Sequence, residues 1–123
     1  MSRPRAALRA LAAAALSVQA CAGAAIVPPF IPMRAPALAS ACATPVESDL
    51  VERLVGFCNG YVRAVVENDP RFQGMAARCA PFPGTIVEEI VSRASAGTVP
   101  DDSVLARDFI YEVALTVCER DRR

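Results

Sequence analysis

A chain of 123 residues forms one domain at most, and its 13 Arg are balanced by 13 Asp and Glu, with neither Lys nor His. Residues 42–123 carry nine Arg and 13 acidic residues, a net charge of −4. This balance argues against a nucleic-acid partner, which needs clustered positive charge. The lack of His removes the usual base of Ser-His and Cys-His catalytic pairs.

The N-terminal segment, residues 1–41, is predicted to be a signal peptide followed by a Pro-rich stretch. Basic residues precede an apolar run at residues 10–18, which is the layout of a secretory signal and is too short to span a bilayer. We therefore expect the chain to be exported. The basic residues are Arg3, Arg5 and Arg9.

The cleavage site is open at this point, because small residues suited to cleavage recur at residues 22–24, 37–39 and 39–41. An alternative is a lipoprotein anchored at Cys21, which follows Ala20. Only as such a lipoprotein would the chain be attached to a membrane.

Four cysteines remain in the predicted domain, an even number that indicates a disulfide framework in a small exported chain. Three pairings are open. If three helices run up, down and up, helix order favours one bridge near the C-terminus and one along the first helix. A metal site is not expected, because no CxxC pair and no His occur. The favoured bridges are Cys79–Cys118 and Cys42–Cys58.

The first helix of the domain is predicted to start at a capping box of Thr44 and Glu47, with Ser48 as a second candidate cap, and to stop at residues 68–70. Two glycines in its interior, Gly56 and Gly60, indicate that another surface approaches this backbone closely. Its predicted buried stripe comprises Val46, Leu50, Leu54, Phe57, Cys58, Tyr61 and Val65.

Residues 70–83 lack a sustained period and are predicted to be a loop, with a short fourth element around residues 72–77. Both aromatic residues of the loop, Phe72 and Phe82, are expected to tuck beneath it. The second helix is predicted to begin at a capping box of Thr85 and Glu88 and to end at Gly97.

The third helix is expected to follow a cap at Asp101 or Asp102 and to run to Cys118 with an apolar face. No alternating strand pattern occurs anywhere along the chain. The predicted fold class is therefore all-α: residues 42–123 form a small three- to four-helix bundle cross-linked by two disulfides.

Catalytic patterns are missing from the sequence. Two acidic pairs, Glu88-Glu89 and Asp101-Asp102, occur, but neighbouring residues on a helix diverge by about 100° and do not share a site easily. No Gly-rich phosphate loop is present. We therefore expect neither enzymatic activity, nor a cofactor, nor a small-molecule substrate.

Short motifs around the cysteines follow one order along the chain. "FCNGYV" at residues 57–62 contains Gly60 and Tyr61, and "CAPFPGT" at residues 79–85 contains Pro81, Gly84 and Thr85. A terminal helix then closes on Cys118. This pattern, over residues 42–118, resembles the Tai-type immunity family, small periplasmic helical proteins associated with type VI secretion amidase effectors.

The resemblance implies a protein partner, a peptidoglycan amidase whose active site this chain would bind and occlude, and it also implies a homodimer. The predicted loop is the candidate contact, because it is the longest irregular segment. Its candidate residues are Arg71, Phe72, Gln73 and Arg78.

A second hypothesis is a small accessory or stress-chaperone protein of the bacterial envelope with no toxin partner. Such a chaperone would lose structure and expose apolar surface as the pH falls. An immunity protein would stay folded and bind one partner tightly.

Overall fold

The computed structural model describes residues Pro32–Arg123, which form one compact helical unit. Within this range the secondary structure is all-α, with an isolated antiparallel bridge between Arg34 and Leu105 in place of any sheet. The predicted fold class is confirmed. The helices are α1 (Ala35–Cys42), α2 (Val51–Asn68), α3 (Pro70–Ala76), α4 (Pro83–Ala96) and α5 (Ala106–Asp121).

Helix α5 lies at the centre of the unit. It packs against α1, α2 and α4, and most of its apolar side chains have almost no exposed surface. Its central position follows from apolar residues that cover more than one helix face. The buried residues of α5 are Ala106, Phe109, Ile110, Val113, Ala114, Val117 and Cys118.

Helix α1 lies inside the segment that was expected to precede the domain. Ala35 and Leu38 are fully buried, and α1 packs on α2, α4 and α5. Its start is also held by the backbone, because Ala35 N donates to Val104 O at 2.9 Å and Ala106 N donates to Met33 O at 3.0 Å. The expected signal sequence up to residue 31, including Cys21, lies outside the described residues.

Two disulfides cross-link the unit, in the pairing that helix order favours. Cys42–Cys58 joins the end of α1 to the middle of α2, and Cys79–Cys118 joins the segment after α3 to the end of α5. Each bridge typically contributes about 2–4 kcal/mol of stability in a domain of this kind. The prediction of two disulfides is confirmed.

The predicted start of the first helix is wrong. Residues 45–50 form turns, and the hydroxyl of Thr44 donates to Ala41 O at 2.8 Å, so Thr44 terminates α1 instead of capping α2. Val46, Leu50 and Phe57 are 85%, 51% and 44% exposed, so the prediction that these three residues are buried is wrong. Val62 of α2, which the prediction omitted from the stripe, is fully buried.

The other two predicted caps are also not formed. Helix α4 begins at Pro83, whose fixed φ suits a first helical position, and Thr85 lies in its first turn without capping it. Helix α5 begins at Ala106, and Asp101 instead accepts from Ser103 N at 2.9 Å in the preceding turn. The predicted stop at Gly97 is confirmed, with φ of 71°.

The predicted loop contains helix α3, which overlaps the anticipated short fourth element. Asp69 caps α3 by accepting from Arg71 N at 3.0 Å, and Pro70 occupies its first position. Phe72 is buried as expected, whereas Phe82 is 78% exposed, so the expectation for Phe82 is wrong.

The expected close approach to the glycines of α2 is not found. No atom lies within 4 Å of the position that a Cβ would take at Gly56 or Gly60. Both residues are exposed, on the side of α2 opposite the buried Cys58.

Removing α1 should prevent stable folding. A fragment starting at Cys42 loses the burial of Ala35 and Leu38 and the backbone bonds to residues 104 and 106, whereas one starting at Pro32 keeps them. We expect a cooperative thermal transition, followed by circular dichroism, for the longer oxidised fragment and none for the shorter one. Coincident transitions would show that α1 is dispensable.

The two phenylalanines of the segment predicted to be a loop, residues 70–83, provide a matched pair of substitutions. Phe72→Ala should destabilise the oxidised protein by about 3–5 kcal/mol, because it empties a buried site. Phe82→Ala should change stability by less than about 0.5 kcal/mol, because the ring is exposed. Urea denaturation measures both, and equal losses would contradict this assignment.

Candidate functional site

The structure separates the four residues that the loop prediction grouped as a partner contact. Phe72 lies in the core, with its ring edge-on to Tyr111 at a centroid distance of 5.7 Å. Its side chain therefore supports the fold, and a partner-binding role does not fit this placement. Gln73 and Arg78 are exposed, but they line different depressions of the surface. Arg71 lies between α3 and α5.

An open cleft of about 680 Å³, which we call the α2–α5 cleft, lies on the surface of the helical unit. It lies where the end of α2, the start of α3 and the start of α5 meet. Two residues singled out from the sequence, Tyr61 and Arg71, both line it. The remaining lining residues are Ala64, Val65, Asn68, Asp69, Pro70, Arg107 and Asp108.

Arg71 forms the wall of this cleft by bridging two carboxylates. Its Nη2 lies 2.8 Å from Asp69 Oδ2 and 3.0 Å from Asp108 Oδ1, and its Nε donates to Asp69 Oδ1 at 3.1 Å. The guanidinium carbon lies 4.7 Å from the ring centroid of Tyr111. Because three side chains hold the guanidinium, its position is preorganised, and its capacity for a further anion is reduced.

The electrostatics of the cleft follow from these contacts. Hydrogen bonding to Arg71 lowers the pKa of Asp69 below its ordinary value of 3.8. Burial raises the pKa of Tyr61 above 10.0, and the nearby charge of Arg107 partly opposes that change. At neutral pH the cleft therefore contains the charged carboxylate of Asp69 and the neutral phenol of Tyr61.

Arg107 is the cleft's available cation. It is exposed at the start of α5, and within residues 32–123 it forms no ion pair. The Asn68 amide, by contrast, donates to Ala64 O at 2.8 Å within its own helix. An incoming partner would therefore meet Arg107 without displacing a protein contact.

The motif residues are distributed over two parts of the fold. Gly60 is exposed on α2 and precedes Tyr61, which lines the α2–α5 cleft. Gly84 and Thr85 lie in the first turn of α4, where Thr85 N donates to Phe82 O at 3.0 Å, and Pro81 precedes this helix by two residues. The second motif therefore organises a helix start, and only the first motif contributes a side chain to the cleft.

Sequence reasoning missed three residues on the central helix: Arg107, Asp108 and Tyr111. They occupy one side of the first turns of α5, and this side faces Arg71. The spacing of Asp108 and Tyr111, three positions apart, was an available signal for a shared helix face. Nothing in the sequence pairs that face with a residue 37 positions away, as the Asp108–Arg71 contact does.

The described residues contain no group of three potential metal ligands, and none of their helices is long and apolar enough to cross a membrane. Every buried side-chain nitrogen or oxygen that the structure describes has a hydrogen-bond partner.

The chain matches no protein-family model, and comparisons with curated proteins and with solved structures found no significant match.

The Asp69–Arg71 contact predicts a pH dependence of stability. Because the pKa of Asp69 is lowered by folding, its contribution is complete above the ordinary value of 3.8 and is lost as the pH falls through the lowered value. Asp69→Asn keeps a helix-capping side chain but removes the charge. The stability difference between the two proteins should be largest at neutral pH and should vanish in acid.

Chemical denaturation at pH values between about 2 and 7 measures this difference across the range in which a carboxyl group titrates. Glu67→Gln is the matched control, because its carboxylate belongs to an exposed pair with Arg63 at 3.8 Å and contributes little. A constant difference for Asp69→Asn across the range would show that the ion pair does not stabilise the fold.

Proposed function

We propose that this protein is a periplasmic binding protein that neutralises a peptidoglycan amidase effector of type VI secretion by occluding its active site. The single observation that carries the proposal is the cleft position shared by Tyr61, from the glycine-tyrosine motif, and Arg71, from the segment expected to contact a partner. The two residues come from different helices, and Tyr61 alone belongs to the sequence pattern that resembles the immunity family.

The physical requirements of such an inhibitor agree with the features of the unit. Two disulfides and a packed α5 hold the cleft walls in place before any partner arrives. Preorganisation lowers the ordering entropy lost on binding, which favours tight association through a modest surface. An oxidising compartment such as the periplasm is where these bridges would persist.

The charge arrangement favours a protein partner over a small anion. Both carboxylates of the cleft lie against Arg71, and the available cation, Arg107, lies at the exposed start of α5. Such a mixture of charges on an open surface suits complementary pairing across a protein–protein interface, where charged groups at the rim set specificity and association rate.

The test is inhibition of an amidase effector encoded in the same genome, measured as peptidoglycan cleavage with increasing amounts of the oxidised protein. We expect stoichiometric inhibition. Arg107→Glu should weaken inhibition by about tenfold, the scale for reversing one interfacial charge. Arg63→Glu, an exposed position on the outer side of α2, is the matched control and should leave inhibition unchanged.

A protein that inhibits no such amidase would contradict the proposal. Capture experiments on envelope extracts then distinguish the second hypothesis, because an accessory or chaperone protein would retain envelope-assembly components. Acid-induced binding of a hydrophobic dye would identify a chaperone specifically, since an immunity protein is expected to stay folded.

A further inference from the structure

A second depression, which we call the α3–α5 groove, lies on the other side of Arg71 and is not used by the proposed function. Its volume is about 340 Å³. Met75 and Cys118, both at least nine-tenths buried, form its base, and Leu115, which is 40% exposed, forms part of its wall. The Cys79–Cys118 disulfide holds the two sides together at one end.

The charges around this groove are unbalanced. Arg78 and Arg122 line it, and among residues 32–123 neither forms an ion pair. Arg71 also borders the groove, but Asp69 and Asp108 already neutralise it. Glu119 is the one carboxylate in the lining. The groove therefore has two guanidiniums with no ion-pair partner among residues 32–123, next to an apolar floor.

This local excess is opposite in sign to the charge of the unit. Residues 32–123 contain ten Arg and 13 acidic residues. Some arginines elsewhere on the helices are paired with carboxylates, as Arg93 is with Glu89 and Glu112. Guanidiniums next to exposed apolar surface are suited to carboxylates, which they bind with two parallel hydrogen bonds.

We infer that the α3–α5 groove binds an extended acidic segment of another protein, with an aliphatic or aromatic side chain of that segment over Met75 and Leu115. Carboxylates on either side of that side chain would pair with Arg78 and Arg122. The groove volume lies at the lower end of the range for ligand pockets, so it accommodates one or two side chains of a longer segment. This inference does not depend on the α2–α5 cleft or on an amidase partner.

A second copy of this chain is the competing occupant, because its exposed turn contains Val46, Glu47, Asp49 and Leu50. A turn of one copy in the groove of the next would be a head-to-tail contact. Such contacts produce open filaments unless their rotation closes a ring. We therefore assign the groove to a different protein and treat self-association as an outcome that would overturn the assignment.

The test uses the full oxidised chain and a blocked nine-residue peptide that alternates Asp with Leu and Phe. Binding is followed by amide chemical shifts and by fluorescence anisotropy. The Asp peptide should bind about tenfold more tightly than the same peptide with Asn in place of Asp, and more weakly as salt rises. The largest shifts should fall on residues around Leu115 and Arg78.

The double variant Arg78→Glu with Arg122→Glu should lose at least about tenfold in affinity for the Asp peptide. The double variant Arg53→Glu with Arg63→Glu is the matched control, because both residues are exposed on α2 away from the groove, and it should retain binding. Circular dichroism and a thermal melt confirm that both variants are folded.

Any one of four results would overturn the inference. One is equal affinity for the Asp and Asn peptides, and a second is no binding at about 1 mM peptide. Another is an equal loss of affinity in the α2 control. The last is concentration-dependent sedimentation of the chain alone that Val46→Asp abolishes, because the groove would then hold a second copy.

Discussion

Burial of α5 is the constraint on which the rest of the structure depends. Apolar residues such as Phe109, Ile110 and Val113 cover so much of this helix that one partner helix cannot remove them from water. Three helices pack directly on it, and the Cys79–Cys118 disulfide ties the segment after α3 to its end. The short α1 is needed because without it part of that apolar surface would face solvent.

The central helix also explains where the surface chemistry lies. The first turns of α5 place Arg107, Asp108 and Tyr111 toward α2 and α3, and the last turns place Leu115 and Arg122 along the α3–α5 groove. Arg71 separates the two depressions and is held by both Asp69 and Asp108. A helix that organises the core thereby positions two surfaces of different charge.

The two depressions differ in how far their charged side chains are already paired within the protein. In the α2–α5 cleft, hydrogen bonds from Arg71 stabilise the charged form of Asp69, so part of the electrostatic energy is used within the fold. In the α3–α5 groove, Arg78 and Arg122 have no ion-pair partner within residues 32–123. The first surface therefore suits binding to a preformed shape, and the second suits attraction of an acidic segment.

Sequence alone determined the all-α class, the number of disulfides, and the end of α4 at Gly97, where a left-handed conformation favours glycine. Only the tertiary structure decided the caps, the place of α1 and the pairing of Arg71 with Asp108. Thr44 and Asp101 each had an alternative hydrogen bond in a neighbouring turn. The alanine-rich sequence of α1 is typical both of a leader segment and of a helix of the domain. Its burial depends on residues about 70 positions away, around Val104 and Ala106, and the local sequence does not contain that information.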